Sequence, residues 1–171
     1  MCKRIAITGP ESTGKTQLAK ELAAHFKTKW VPEYAREYLS GKQERYTIED
    51  ILRIAKGQLK QETKIARGTT GLLFCDTDLT VLKIWSQVVF SSCPEWIEEK
   101  FNTHQYDLYL LCYPDIEWKA DPLRENPTDR RFLFELYKEE LEKAGVHYVI
   151  VKGRGAQRLE NAINFVRHLN R

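Results

Sequence analysis

Several features common in metal-scaffolded, secreted or membrane proteins are missing from this chain. Its four cysteines, Cys2, Cys75, Cys93 and Cys112, lie far apart, with no C-x-x-C pair and no histidine at a ligand-like offset, so a zinc framework is not expected. Cys75 and Cys112 fall inside apolar, strand-like runs and read as small buried hydrophobes in a reducing compartment. No apolar stretch approaches the roughly 18 residues of a membrane span, and the chain starts directly in a strand. Neither signal peptide nor anchor is expected, and the location expected is cytoplasmic. An excess of one charge is also lacking: 27 Lys and Arg against 24 Asp and Glu leave a net +3, with no basic stripe to attract nucleic acid or a membrane surface. No repeat or low-complexity segment appears, and 171 residues suit one domain, 1–171, with a single substantial core. Oligomeric state is not legible, and a homo-oligomer stays open.

What is present is dominated by Gly9-Pro10-Glu11-Ser12-Thr13-Gly14-Lys15-Thr16, which matches G-x-x-x-x-G-K-[ST]. It follows the apolar run Ile5-Ala6-Ile7 and precedes helical spacing at Leu18, Leu22 and Phe26. In that context the stretch is a phosphate-binding P-loop. Glycines let successive N–H groups converge on an anion, and the following helix N-terminus adds partial positive charge. Gly9 to Thr16, with Gln17, are thus expected to bind a nucleotide, ATP, with Lys15 on the β/γ-phosphates. Mg²⁺, a hard cation, would take oxygen from Thr16 and from Asp76, which ends the apolar run Leu72-Leu73-Phe74-Cys75.

Hydrophobic periodicity predicts strands at Lys3–Thr8, Trp30-Val31, Leu72–Cys75, Asp107–Tyr113 and Tyr148–Val151, separated by amphipathic helices. Thr47 and Asp50 form a variant capping box at the start of a long helix fading near Arg67. Such alternation predicts an α/β fold, a doubly wound parallel five-stranded sheet. Trp85 shares an apolar helix face with Val81, Leu82, Val88 and Val89 and reads as core.

Thr77, not a glutamate, follows Asp76, and a guanine-specific N-K-x-D is missing. Water activation and switching are therefore disfavoured against phosphoryl transfer to a bound acceptor. Glu33 and Asp78 stand near strand ends on the P-loop's edge; Glu33 is the expected base and Asp78 the substrate grip, with the reverse left open. Arg124, Arg130 and Arg131 lie in a polar lid segment, about 115–131, where Arg124 and Arg130 could neutralise charge on the transferring group. Arg131 reads equally well as a solvated helix start. Arg154, after the fifth strand, is placed to border adenine.

Three further stretches, Val31 to Tyr38, Phe74 to Asp78 and Asp115 to Arg124, together resemble the ribosylnicotinamide kinase domain of NadR-type proteins. The likeness runs in order over almost the whole chain. It implies a P-loop kinase-like, three-layer α/β/α fold that uses ATP and Mg²⁺ to phosphorylate the 5′-hydroxyl of nicotinamide riboside, giving nicotinamide mononucleotide. It also implies that Glu33, Arg36, Asp78 and the Trp118 to Arg124 segment border the nucleoside and that the later arginines act on the phosphates. For a positively charged nicotinamide ring, Tyr34, Trp118 and Asp121, with Trp85 as an alternative to its core reading, could supply aromatic faces and a carboxylate. Pro122 stands where the family often has glycine, which affects the lid's path. NadR-type proteins can carry DNA-binding and adenylyltransferase regions ahead of this domain, and these activities are not expected of this chain. The alternatives are a kinase for another nucleoside or nucleotide, and a regulatory module that binds ATP or a pyridine nucleotide without turnover.

Overall fold

Five strands, β1 (Cys2–Thr8), β2 (Lys29–Val31), β3 (Gly71–Asp76), β4 (Leu108–Cys112) and β5 (Tyr148–Val151), form one all-parallel sheet in the order β2-β3-β1-β4-β5. The computed structural model describes residues 2–121, 124 and 128–169. Pro122, and with it part of the expected lid, lies outside the described residues. Helices connect every pair of consecutive strands: α1 (Lys15–His25), α2 (Tyr34–Leu39), α3 (Ile48–Arg67), α4 (Leu79–Phe90), α5 (Glu95–Thr103) and α6 (Arg130–Lys143), with α7 (Gly155–His168) following β5.

The strands read as near-continuous apolar runs because both sheet faces are covered. Alternate residues go to opposite layers. Ile5, Ile7, Leu72 and Phe74 pack with Leu18 and Leu22 of α1 and Ala162, Ile163 and Val166 of α7. Ala6, Leu73, Cys75, Tyr109 and Leu111 pack on the other side with Ile84 of α4 and Leu133, Phe134 and Tyr137 of α6. The result is a three-layer α/β/α arrangement. Cys75 and Cys112 are wholly buried, and burial pushes both thiols up, as expected of inert hydrophobes.

A third cluster, Ala35, Ile51, Ile54, Ala55, Leu79, Leu82, Ile97 and Phe101, joins α2, α3, α4 and α5 into a shoulder beside β3. Its α3 starts on a complete capping box: the Thr47 side chain accepts from the Asp50 N–H, and Asp50 Oδ2 accepts from the Thr47 N–H at 2.8 Å. That backbone bond, joined by bonds from the Tyr38 and Thr47 side chains, outweighs burial and holds the Asp50 carboxyl well below the usual range. Among the described residues, no helix is long and apolar enough to cross a membrane.

Candidate active site

β1 is the central strand, and the loop at its C-terminal end turns into α1 through two residues with positive φ, Ser12 and Gly14. Gly9 also has φ +128, and a Cβ there would stand 2.9 Å from Cys112 O, so the loop's first position must be glycine for backbone to pass this close to β4. Thr13 Oγ1 donates to Pro10 O at 2.7 Å, and Lys15 Nζ donates to Gly9 O and Pro10 O at 2.9 and 2.8 Å.

Parallel pairing places Asp76 opposite Ile7, so β3 delivers its last carboxylate beside the P-loop. Thr16 Oγ1 donates to Asp76 Oδ2 at 2.6 Å, while Asp76 Oδ1 is buried without a partner. Burial lifts this carboxyl to about 6, despite the hydrogen bond from Thr16. No group of three or more His, Cys, Asp or Glu side chains able to hold a metal occurs among the described residues. A hydroxyl and an orphaned carboxylate oxygen beside a phosphate cradle instead fit Mg²⁺ whose remaining oxygens come from the nucleotide.

A cavity of about 400 Å³ leads away from the loop. One end is Gly9, Ser12 to Gln17 and Glu11; the other is an apolar chamber of Val81, Ile84, Trp85, Val88 and Val89 from α4 with Leu133 and Tyr137 from α6. Glu33, Arg36, Asp121 and Arg124 also line it. Arg36 pairs with both Glu33 and Asp121 at 3.0 Å, joining the start of α2 to the segment that follows β4. Away from the cavity, Lys83 ties α4 to α5 and α6 through Glu98 and Glu140 at 2.8 and 2.7 Å. Burial alone would lower its pKa, but the bonds to Glu140 and Glu98 more than offset this and raise it.

Described residues between β4 and α6, with the first residue of α6, touch the P-loop directly. Ser12 Oγ accepts the Lys119 N–H at 2.9 Å, Trp118 Nε1 donates to Glu11 Oε1 at 3.3 Å, and Arg130 Nη1 donates to Ser12 O at 2.9 Å. Burial lowers the Arg130 pKa, with Glu11 nearby acting in the opposite sense. Arg124 Nη1 donates to Lys119 O at 2.6 Å, and Arg131 is exposed. A second cleft on the other side of the loop is lined by Gln17, Ile116, Lys119, Arg154 and Arg158, among others, and there Arg154 Nε donates to Asp115 O at 2.8 Å.

Four side chains stand elsewhere than expected. Asp78 is 1 % exposed and does not line the cavity: Thr77, at φ +77, swings it inward, where it accepts from Thr8 Oγ1 at 2.7 Å and from Thr80. Burial raises its pKa against these bonds. Tyr34 turns toward α3, its ring so close to Gly57 that a Cβ there would lie 2.0 Å from Cε1. Trp118 reaches Glu11 instead of the chamber. Trp85, expected in the core, packs against the third cluster but also lines the chamber, with Nε1 donating to Tyr46 Oη at 2.9 Å.

Sequence reasoning missed Arg158. Only 5 % exposed, it donates from Nη1 to Asp115 Oδ1 and Gly153 O and from Nη2 to Thr13 O and Tyr113 O, at 2.6 to 3.1 Å. Asp115 Oδ2 in turn accepts the Gly153 N–H at 2.7 Å. The signal was available: Arg158 shares the buried stripe of α7 with Ala162 and Val166.

The family model described as an AAA domain matches residues 4–158. The trifunctional NAD biosynthesis/regulator protein NadR of Salmonella typhimurium is 27% identical over 156 residues, covering 88% of this chain and 38% of its own length. The chain thus spans little more than a third of this curated relative. Solved structures of NadR, one with nicotinamide riboside (NR) and one with NAD and AMP-PNP, superpose with TM-scores of 0.81 and 0.76 at 24% and 23% identity, each over 98% of this chain and 51% and 49% of theirs. A thymidylate kinase from Ehrlichia chaffeensis matches with a TM-score of 0.65 at 12% identity, over 98% of both chains. These structural likenesses carry the fold.

Proposed function

The chain belongs to the AAA-domain family, matched over residues 4–158, and from this premise we propose that it is an ATP- and Mg²⁺-dependent nucleoside kinase that phosphorylates the 5′-hydroxyl of nicotinamide riboside to nicotinamide mononucleotide. The observation that carries the reading is one continuous cavity lined by both the phosphate cradle and an apolar, aromatic chamber, with a carboxylate, Glu33, among the groups lining it. A nucleoside has this shape: a flat base, a ribose and a hydroxyl that must meet the γ-phosphate. The solved NadR complex with nicotinamide riboside, on the same fold, supports the choice of acceptor.

Each residue then has a distinct task. The P-loop N–H groups and Lys15 hold the β- and γ-phosphates, Lys15 exchanging its carbonyl partners for phosphate oxygen. Thr16 and Asp76 hold Mg²⁺, which neutralises phosphate charge when bound. Glu33 accepts the proton of the 5′-hydroxyl as that oxygen bonds to phosphorus and the bond to the ADP oxygen breaks. Arg36 fixes Glu33 on one side and Asp121 on the other. Arg130 and Arg124 are mounted on the segment bordering the P-loop, where guanidinium charge can offset that gathering on the transferring phosphoryl group. Arg154, in the second cleft, suits the adenine side.

Of the two strand-end carboxylates, Glu33 lines the cavity and Asp78 is buried away from it, which supports Glu33 for the base role. Trp85 replaces Trp118 as the aromatic face for an electron-poor, positively charged ring, and Tyr137 also lines the chamber. Competing nicotinamide riboside against neutral nucleosides at fixed ATP and Mg²⁺ tests this. Its kcat/KM should exceed that for uridine or cytidine at least ~10-fold, about the 1.4 kcal/mol of one modest cation–π contact, and Trp85→Ala should narrow the gap. A neutral nucleoside proving the better substrate would sink the assignment.

A further inference from the structure

Glu33 stands in the two-residue connection between β2, ending at Val31, and α2, beginning at Tyr34. The position of its carboxylate is therefore set by whatever grips the residues on either side. Both are gripped by α3. Gln61 Nε2 donates to Pro32 O at 2.8 Å, and Gln58 Oε1 accepts the Tyr34 N–H at 2.9 Å. The two glutamines are three residues apart, hence on one helix face.

The same face makes room for this grip and extends it. Gly57 lets the Tyr34 ring lie against the helix, where any Cβ would collide with it. Gln58 is 1 % exposed, an amide placed among the apolar positions of the α3 stripe. Its Nε2 lies 3.5 Å from both Thr77 O and Glu62 Oε1, so one side chain stands between the connection bearing Glu33 and the strand tip bearing Asp76. Glu62, wholly buried, accepts from Tyr106 Oη at 2.8 Å and lies 3.3 Å from His104 Nε2, which anchors the far side of Gln58. A buried amide in an apolar stripe costs desolvation unless its bonds are made. Here they are spent on the backbone beside the carboxylate.

We infer that Gln58 and Gln61 are positioning residues that clamp the backbone on both sides of Glu33 and fix where its carboxylate meets the acceptor hydroxyl. The inference rests on the base role of Glu33. Displacing a base by a fraction of an ångström slows proton transfer without altering how the P-loop holds ATP.

The test is a double-mutant cycle with purified full chain, nicotinamide riboside, ATP and Mg²⁺. Gln61→Ala and Gln58→Met should each lower kcat about five- to tenfold, the worth of roughly one hydrogen bond, with KM for ATP within about twofold of wild type. Gln61→Lys, which keeps a donor for Pro32 O, should recover most of the loss. In a Glu33→Gln background, where the base is gone and kcat is already down ~10²- to 10⁴-fold, Gln61→Ala should cost nothing more, because its effect passes through Glu33. A general loosening of the fold would cost the same in both backgrounds. Gln61 is partly exposed, so its variants report even if Gln58→Met fails to fold. A collapsed rate in Glu33→Gln with normal kcat in Gln61→Ala overturns the clamp and leaves the base intact. Equal losses in both backgrounds also overturn it. A normal rate in Glu33→Gln overturns the base role and the clamp with it.

Discussion

Replacing Asp76 by asparagine should make the protein more stable at neutral pH while removing the carboxylate proposed to hold Mg²⁺. Burial lifts this carboxyl from the ordinary 3.8 to about 6. A carboxyl raised by folding contributes stability that is full below its unfolded pKa and is lost as the pH climbs through the folded one, here between about 4 and about 6. That displacement corresponds to about 3 kcal/mol at ~1.36 kcal/mol per pH unit. For a domain of this size it is worth roughly 6–12 °C in Tm. Asparagine keeps an oxygen for the Thr16 hydroxyl and does not titrate. Melting wild type and Asp76→Asn side by side from about pH 4 to 8, without nucleotide or divalent cation, should show the variant's advantage growing by most of that amount as pH rises. Taking the difference across pH cancels any fixed cost of placing an amide nitrogen at the orphaned position. Mg²⁺ added with ATP should then raise the wild-type Tm beyond ATP alone and leave the variant unmoved. A Tm difference that stays flat with pH refutes the reasoning, because the carboxylate would then be as well solvated folded as unfolded.

Lys15→Ala should abolish phosphoryl transfer and move stability by no more than about 1 kcal/mol, since Nζ contacts two loop carbonyls and contributes charge more than packing; turnover retained by the folded variant would remove the phosphate-site reading. Arg130→Ala and Arg124→Ala should lower kcat more than they raise KM for ATP, because their charge is felt most by the reacting complex; a change confined to KM makes either residue a ground-state contact.

The order of strands was legible because parallel strands buried on both faces leave uninterrupted apolar runs, such as Leu72 to Cys75, whereas the short, polar α2 leaves no such pattern. The capping box at Thr47 and Asp50 fixed the start of α3 to the residue. Side-chain direction was another matter. Asp78 reads as a second strand-end carboxylate until the left-handed Thr77 turns it over Thr8, and no local pattern announces positive φ at a threonine. Trp85 belongs to a stripe too broad to be all core: α4 is apolar on both the side facing the sheet and the side facing the chamber. Gln58, Glu62 and Arg158 were visible as polar letters on buried stripes, but their meaning depends on backbone that arrives from distant sequence.

The Arg158 knot has a consequence for how the protein comes into being. The bond from Nη2 to Thr13 O joins residues 145 apart, one of the longest closures in the fold. Until the first turn of α7 exists, the buried carbonyl of Thr13 lacks this donor, at a cost of about 1–3 kcal/mol, whereas the Tyr113 carbonyl keeps the Asp115 N–H. A chain emerging from the ribosome can therefore assemble all of its parallel strands before the phosphate cradle acquires its final shape. The loop expected to hold phosphate thus takes part of its backbone support from a helix 145 residues away along the chain.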